Sequence, residues 1–381
     1  MLRNSARSAR TTGTGATIAF ISILVLLVAA AFAHFNFLSY PRILNDDEVA
    51  AARILRSLRS LSTGALSSRS SSPTAAGRGA IMAKRTPVYF VSHGVSVFAP
   101  SAPHIVDLVV FSVFPGPNTM FDTEHPVYPQ LQRIGREITQ QVKPSAIVVF
   151  SAHWQAQRPN TIEVNVAEDE PLIYDFYGFP RNYYMEKFPN RGSAKLAQQV
   201  IDVLESHGIK TQKEERGLDH GVFVPFKVMF NPETNPLGDV PIVQVSLFDD
   251  HTDAAAHIGL GRAVQKLREE NILIICSGMS VHNLRHLMML GRGSNRTMPY
   301  TVTFDEALKV AAETKPGEQR DETMVELLKR DDARQAHPTF EHLLPIHIAV
   351  GAGGTDQGKQ LWTLQESSMA WAQYRFGEVG A

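Results

Sequence analysis

Cysteine is almost absent: Cys276 is the only one in 381 residues. No disulfide can close within the chain, and thiolate-rich zinc or iron–sulfur sites are excluded. Any metal must therefore be held by His, Asp or Glu. Cys276 itself lies in the apolar run from Ile272 and reads as a small core hydrophobe. An excess of charge is missing too. Lys and Arg number 37 against 38 Asp and Glu, a net charge of −1. The chain as a whole thus offers no polyelectrolyte attraction to nucleic acid. No internal repeat is visible. What is present is apolar residues at 44%, ample for a large core, and 14 histidines.

Residues 1–15 carry Arg3, Arg7 and Arg10 and no acid. Ala16 to Ala33 then runs without a charge, just long enough to cross a bilayer as a helix. A single-pass signal-anchor helix over 16–36 is expected, with the domain that follows held at a membrane. A cleaved signal peptide, with Ala31-Phe32-Ala33 as its A-x-A site, and a mitochondrial presequence are the alternatives. The basic flank before the apolar run would keep the N-terminus cytoplasmic. Residues 37–84 read as a juxtamembrane segment and flexible linker. Val49, Ile54, Leu55, Leu58 and Leu61 have amphipathic helical spacing, and residues 62–80 are rich in Ser, Gly and Ala.

Residues 85–381 read as one globular domain. Pro87 to Ser92, Ser145 to Ser151, Val240 to Leu247 and Ile272 to Ser277 are buried-strand signals. Thr161 to Val166 alternates like an edge strand. Helices are expected over Ser193 to His207 (ended by Gly208), Ala254 to Glu270, 303–314 and 321–331, while His342 to Val350 fits helix or strand. Strands alternating with helices predict an α/β domain, a central mixed sheet flanked by helices. Sites in such sheets lie beyond the strand ends.

That is where His93, His153 and His282 stand. Each follows a strong strand, and His93 precedes Gly94, which lets the backbone turn. His342 follows Glu341, a possible oxygen ligand. A core histidine bonded to a carbonyl is the bland alternative for any one of them, but three at strand ends together point to one metal site. Neutral imidazoles, with or without one carboxylate, suit Fe(II), Mn(II) or Zn(II). His220 lies in a loop between Gly217 and Gly221, and a mobile, partly exposed histidine there suits a proton carrier; a turn-capping role is the alternative. Adjacent Asp219 is not expected to pair with it. Trp154 stands beside His153 as an apolar wall. The run Tyr174-Asp175-Phe176-Tyr177-Gly178-Phe179-Pro180 is dense in aromatics, fit to wall a flat ring or to form a satellite cluster. His125 and His347 are the hardest of the others to dismiss.

Taken in order, SHG, SAHW, YDFYGFP, GLDHG, PIVQVSL, SGMSVHNLR and EHLLP resemble the class III extradiol ring-cleavage dioxygenases, in their 4,5-DOPA extradiol branch. The resemblance spans about residues 86–355. It implies Fe(II) for activity, with Zn(II) possible in the isolated protein, and a small aromatic diol and O2 as substrates. It implies His93, His153, His282 and His342 as metal ligands, with His282 either ligand or acid/base, and His220 as the main acid/base. Trp154, Tyr174, Phe176 and Tyr177 are the substrate-wall candidates. The stretch between His93 and His153 is longer than usual and is expected to shape the pocket entrance. A zinc-dependent hydrolase on the same histidines and a silent membrane-tethered binding protein are the rival functions. No oligomeric state is read from the sequence.

Overall fold

Aliphatic and aromatic residues with no room for charge build the middle of one sheet. The computed structural model describes residues 85–94, 118–177, 179–290 and 296–380. The expected basic segment, apolar helix, juxtamembrane segment and linker lie outside those residues, as does most of the long stretch after His93. Among the described residues no helix is long and apolar enough to cross a membrane.

Strands β1 (Val88–Ser92), β2 (Ala146–Gln155), β5 (Ile242–Leu247) and β6 (Ile272–Gly278) run parallel, in the order β5-β2-β6-β1. Their largely apolar character and near-complete burial are those of strands covered on both faces. On one side β5 pairs antiparallel with β3 (Thr161–Asn165), and β3 pairs in parallel with β4 (Lys210–Glu214). On the other side β1 pairs with β11 (Gln373–Phe376), and β11 with β8 (Gly358–Trp362), both antiparallel. The mixed eight-stranded sheet agrees with the α/β expectation. One detail differs: β3 is fully buried, because β4, with its Lys-Thr-Gln-Lys-Glu sequence, covers it and forms the polar edge instead.

Alternation along each strand assigns two cores. Val88, Phe90, Val148, Phe150 and Ile274 face one layer. Tyr89, Val91, Ile147, Val149 and Ile275 face the other. The second layer holds α1 (Val127–Glu137). The first holds α2 (Ala194–Ser206), whose N-cap Ser193 accepts from the Leu196 N–H. Helix α3 (His220–Met229) lies on the second layer and was not expected. Helix α4 (Ala254–Val264) stops short of the predicted Glu270, and 3-10 turns carry the chain from Gln265 to Glu270. In those turns Arg268 is fully buried, donating to the Thr86, Ala352 and Gly353 carbonyls. Helix α5 (Leu284–Leu290), α6 (Pro299–Glu313) and α7 (Glu318–Glu326) follow. His342 to Val350 resolves as a helix, α8 (Leu344–Gly353), with Pro345 in its first turn and every residue buried.

Candidate metal centre

The carboxyl ends of the parallel strands carry the site. His93 is the first residue past β1, and its N–H donates to the Gly278 carbonyl at the end of β6, 3.1 Å away. Gly94 follows at φ +85°, with the Trp371 ring 1.9 Å from where a Cβ would stand. Both backbone and space therefore demand glycine. His153 sits on the part of β2 beyond Phe150, where pairing to β5 shifts register. His282 ends the short strand β7 (Val281–His282). His342 precedes α8, its carbonyl accepting from the Met279 N–H at 2.8 Å.

Three rings meet tip to tip. His153 Nε2 lies 3.2 Å from His93 Nε2 and 3.3 Å from His342 Nε2. Each ring is fixed from behind through Nδ1. His93 Nδ1 is 3.0 Å from Ser277 Oγ, His153 Nδ1 is 3.2 Å from Asp175 Oδ2, and His342 Nδ1 is 3.0 Å from Glu341 Oε1. An ionised carboxylate only accepts, so His153 and His342 carry their proton on Nδ1. The Ser277 hydroxyl donates its one proton to the Gly221 carbonyl, so its oxygen accepts from His93 Nδ1–H. That carbonyl lacks a helical partner because Pro225, four residues on in α3, has no N–H.

In these tautomers His153 Nε2 faces the other two Nε2 atoms lone pair to lone pair, and such pairs repel unless a cation lies among them. Imidazole nitrogens about 2.1 Å from one divalent ion stand roughly 3.0–3.4 Å apart for bond angles of about 90–109°. The observed separations match. The Nδ1 partners are the outer hydrogen bonds that ligating imidazoles require. The donor set therefore fits a divalent metal.

Electrostatics favours neutral imidazoles at His93 and His342. Burial, followed by the neighbouring imidazoles, pushes the His93 and His282 pKa values well below the ordinary histidine value. Burial also lowers His342, against the opposing pull of Glu341. Burial works against the Glu341 anion, but its bond with His342 draws the carboxyl down to about 2. Glu341 therefore stands behind His342 as an anion. At His153, burial lowers the pKa but the Asp175 bond and charge more than offset it.

His220 departs from expectation. It is the first residue of α3 and 5% exposed, not a mobile loop residue. The segment before it is pinned: Leu218 is buried, and Asp219 pairs with Ile173 in a strand bridge. Asp219 does not touch the His220 ring, as expected. It binds Ser151 Oγ at 2.8 Å, Arg216 at 3.2 Å and the Gln244 amide. The partner of His220 is Asp175, whose Oδ1 lies 2.8 Å from Nδ1. Burial, then His153, lowers the His220 pKa, while Asp175 opposes. Gly221 matters as well, because a Cβ there would fall 2.5 Å from Ser151 Oγ and 2.8 Å from His153 Cδ2.

His282 lies outside the three-nitrogen set. Its ring stacks on His342, centroids 3.7 Å apart and planes 11° from parallel. In-plane lone pairs of stacked rings do not converge on one ion. A nitrogen of His282 instead groups with Glu341 and His342 within 4.8 Å. Of the four aromatics, Phe176 stands edge-on to His220, centroids 5.6 Å apart. Trp154 alternates to the other face of β2, where it donates to Glu163 at 2.9 Å under the Arg216 guanidinium. Tyr174 donates to the Glu186 carbonyl, and Tyr177 is 75% exposed. His125 packs on Trp371, and His347 is buried within α8. Sequence reasoning missed Asp175 and Ser277. Asp175 lay in plain view as the one acid in an aromatic run.

Residues 88–377 match the family described as the catalytic LigB subunit of aromatic ring-opening dioxygenase. The chain is 35% identical to the 4,5-DOPA dioxygenase extradiol of Beta vulgaris over 240 residues, 61% of this chain and 83% of that protein. It is also 35% identical to a 4,5-DOPA dioxygenase extradiol-like protein of Schizosaccharomyces pombe, over 61% of this chain and 75% of that one. Among solved structures, an uncharacterised Escherichia coli K12 protein superposes with a TM-score of 0.56 at 26% identity, covering 77% of this chain and all of that one.

Proposed function

We propose a function from one premise: the chain belongs to the aromatic ring-opening dioxygenase family of the LigB catalytic subunit, and is an extradiol dioxygenase family enzyme. Its reaction is then O2-dependent cleavage of a catechol-type diol, giving a ring-opened semialdehyde. The observation that carries this reading is the convergence of the His93, His153 and His342 Nε2 lone pairs, each fixed through Nδ1. These three histidines would hold Fe(II), and the bound ion supplies the electron path between diol and O2. Zn(II) suits the same nitrogens but has no redox chemistry.

The chain's own part is proton handling and positioning. His220 keeps its Nδ1–H on Asp175, which leaves Nε2 to accept a diol proton. Its lowered pKa, set first by burial, keeps it neutral and receptive near pH 7. Phe176 offers an apolar ring edge beside it. His282, stacked on His342, serves as a second proton carrier rather than a ligand. DOPA is the first diol to test, since the relatives bear its name.

The test is oxygen uptake by the full chain, loaded anaerobically with Fe(II) and mixed with a panel of catechols that includes DOPA. Uptake with a new yellow chromophore is expected, and its loss in His153→Ala and in zinc-loaded protein. Full Fe(II) binding without uptake on any catechol would reject ring cleavage and leave the zinc-dependent hydrolase and the silent binding protein as the readings. Residues 16–36 are further proposed to anchor the enzyme as a single-pass membrane helix, on the support of sequence alone. Release of the full chain from membranes by alkaline carbonate would refute the anchor.

A further inference from the structure

Asp175 does three things at once. Its Oδ2 faces His153 Nδ1 at 3.2 Å, its Oδ1 faces His220 Nδ1 at 2.8 Å, and Oδ1 also accepts the backbone N–H of His220 at 2.9 Å. The third bond supplies a cap for α3 from a distant loop. The residue in the N-cap position, Asp219, makes no side-chain cap bond and is engaged elsewhere. A free N–H at a helix start favours an anion, so the carboxylate stays ionised and can only accept from both rings. The two imidazoles are consequently neighbours, with centroids 3.9 Å apart.

We infer that Asp175 is a positioning residue that holds the ligand His153 and the proton carrier His220 together in the Nδ1–H tautomer. This rests on the roles proposed above for those two histidines. The tautomer is what each role requires. His153 needs a bare Nε2 to face His93 and His342, and His220 needs a bare Nε2 to receive a proton. One carboxylate therefore sets ligand and proton carrier in register. A second tie acts in parallel: Ser277 joins His93 to the Gly221 carbonyl, one residue beyond His220.

Asp175→Asn keeps the shape and removes the symmetry. An amide accepts on one side and donates on the other, so it can no longer accept from both rings. One ring must then turn its Nδ1 into an acceptor and move its proton to Nε2. The test uses the full chain with 15N-labelled histidine, metal-free and without substrate, at alkaline pH where each ring carries a single proton, read by long-range 1H–15N correlation. The wild-type protein is expected to show both rings protonated at Nδ1, and the variant one ring protonated at Nε2. If His153 changes, Zn(II) affinity measured by chelator competition falls about 10–100-fold. If His220 changes, Zn(II) affinity holds while kcat on the cleaved diol falls with KM unmoved. Nε2–H rings in the wild-type spectrum would overturn the inference even where the variant fails to fold. So would a folded variant with unchanged tautomers and Zn(II) affinity. The spectra and the Zn(II) titration need no diol. Expected results there, beside a wild-type protein that cleaves no catechol, would sink the dioxygenase reading and leave Asp175 standing.

Discussion

Replacing Ser277 with alanine removes one oxygen that serves two buried partners. Ser277 is fully buried and His93 is 1% exposed, so water has no ready access to either. His93 Nδ1–H loses its acceptor at 3.0 Å, and the Gly221 carbonyl loses the donor that stood in for the missing Pro225 N–H. A buried group left without a partner costs about 1–3 kcal/mol. The carbonyl has no escape from that cost. The imidazole has one: it can move its proton to Nε2, which trades the penalty for loss of the ligand lone pair. The metal-free protein should therefore lose about 1–3 kcal/mol of stability, and metal affinity should fall about 10–100-fold, which is roughly 1.4–2.7 kcal/mol. Urea unfolding of metal-free protein and anaerobic chelator competition measure the two. Adding Pro225→Ala restores a backbone N–H for the carbonyl, so the double variant should recover stability but not metal affinity. Unchanged metal affinity in Ser277→Ala, or recovery of both properties together, would refute the proton assignment at His93.

Gly221→Ala places a methyl 2.8 Å from His153 Cδ2 and 2.5 Å from Ser151 Oγ; overpacking of about 1–3 kcal/mol and at least a tenfold loss of metal affinity are expected, and normal affinity would show that the ring has room. His282→Ala should retain metal at full stoichiometry by elemental analysis, whereas His342→Ala should not; equal loss in both would make His282 a ligand. Burial, against weaker opposing bonds to the Met324 and Leu343 carbonyls, lowers the pKa of His347 to about 4 from 6.5. Its folded value is below its unfolded one, so the unfolded chain binds the extra proton between those two pH values. Stability is full above about pH 6.5 and is lost as pH falls toward 4, by at most about 3 kcal/mol for this residue. Urea midpoints at pH 7, 6 and 5 should show His347→Gln with a shallower decline than wild type, and parallel declines would contradict the assignment.

The sheet was legible wherever burial on both faces leaves a strand largely apolar, as in β1, β2, β5 and β6. Lys210–Glu214 was not, because a polar edge strand leaves no apolar pattern to read. The start of α3 was hidden by Gly217 and Gly221, which read as loop breakers. In the fold they are points of close approach: a Cβ on Gly217 would fall 1.7 Å from the Pro171 carbonyl oxygen. β11 is a short strand of mixed polarity, legible only through its antiparallel pairing with β1.

The site divides along the same physical line. His93, His153, His282 and His342 announce themselves because each sits next to a strand end or a helix start, and that position is local. Their partners are not local. Ser277 reaches His93, and Asp175 reaches both His153 and His220, only after the sheet and α3 have been assembled. Sequence supplies the nitrogen atoms, but the fold supplies the tautomers, and a nitrogen is a ligand or a base only in the right tautomer. One local mark of this assembly was available. A proline within an apolar helical run frees the carbonyl four residues earlier, and a buried free carbonyl requires a donor from elsewhere in the chain. Pro225 therefore implies a donor to Gly221. That donor is Ser277, whose oxygen then fixes His93.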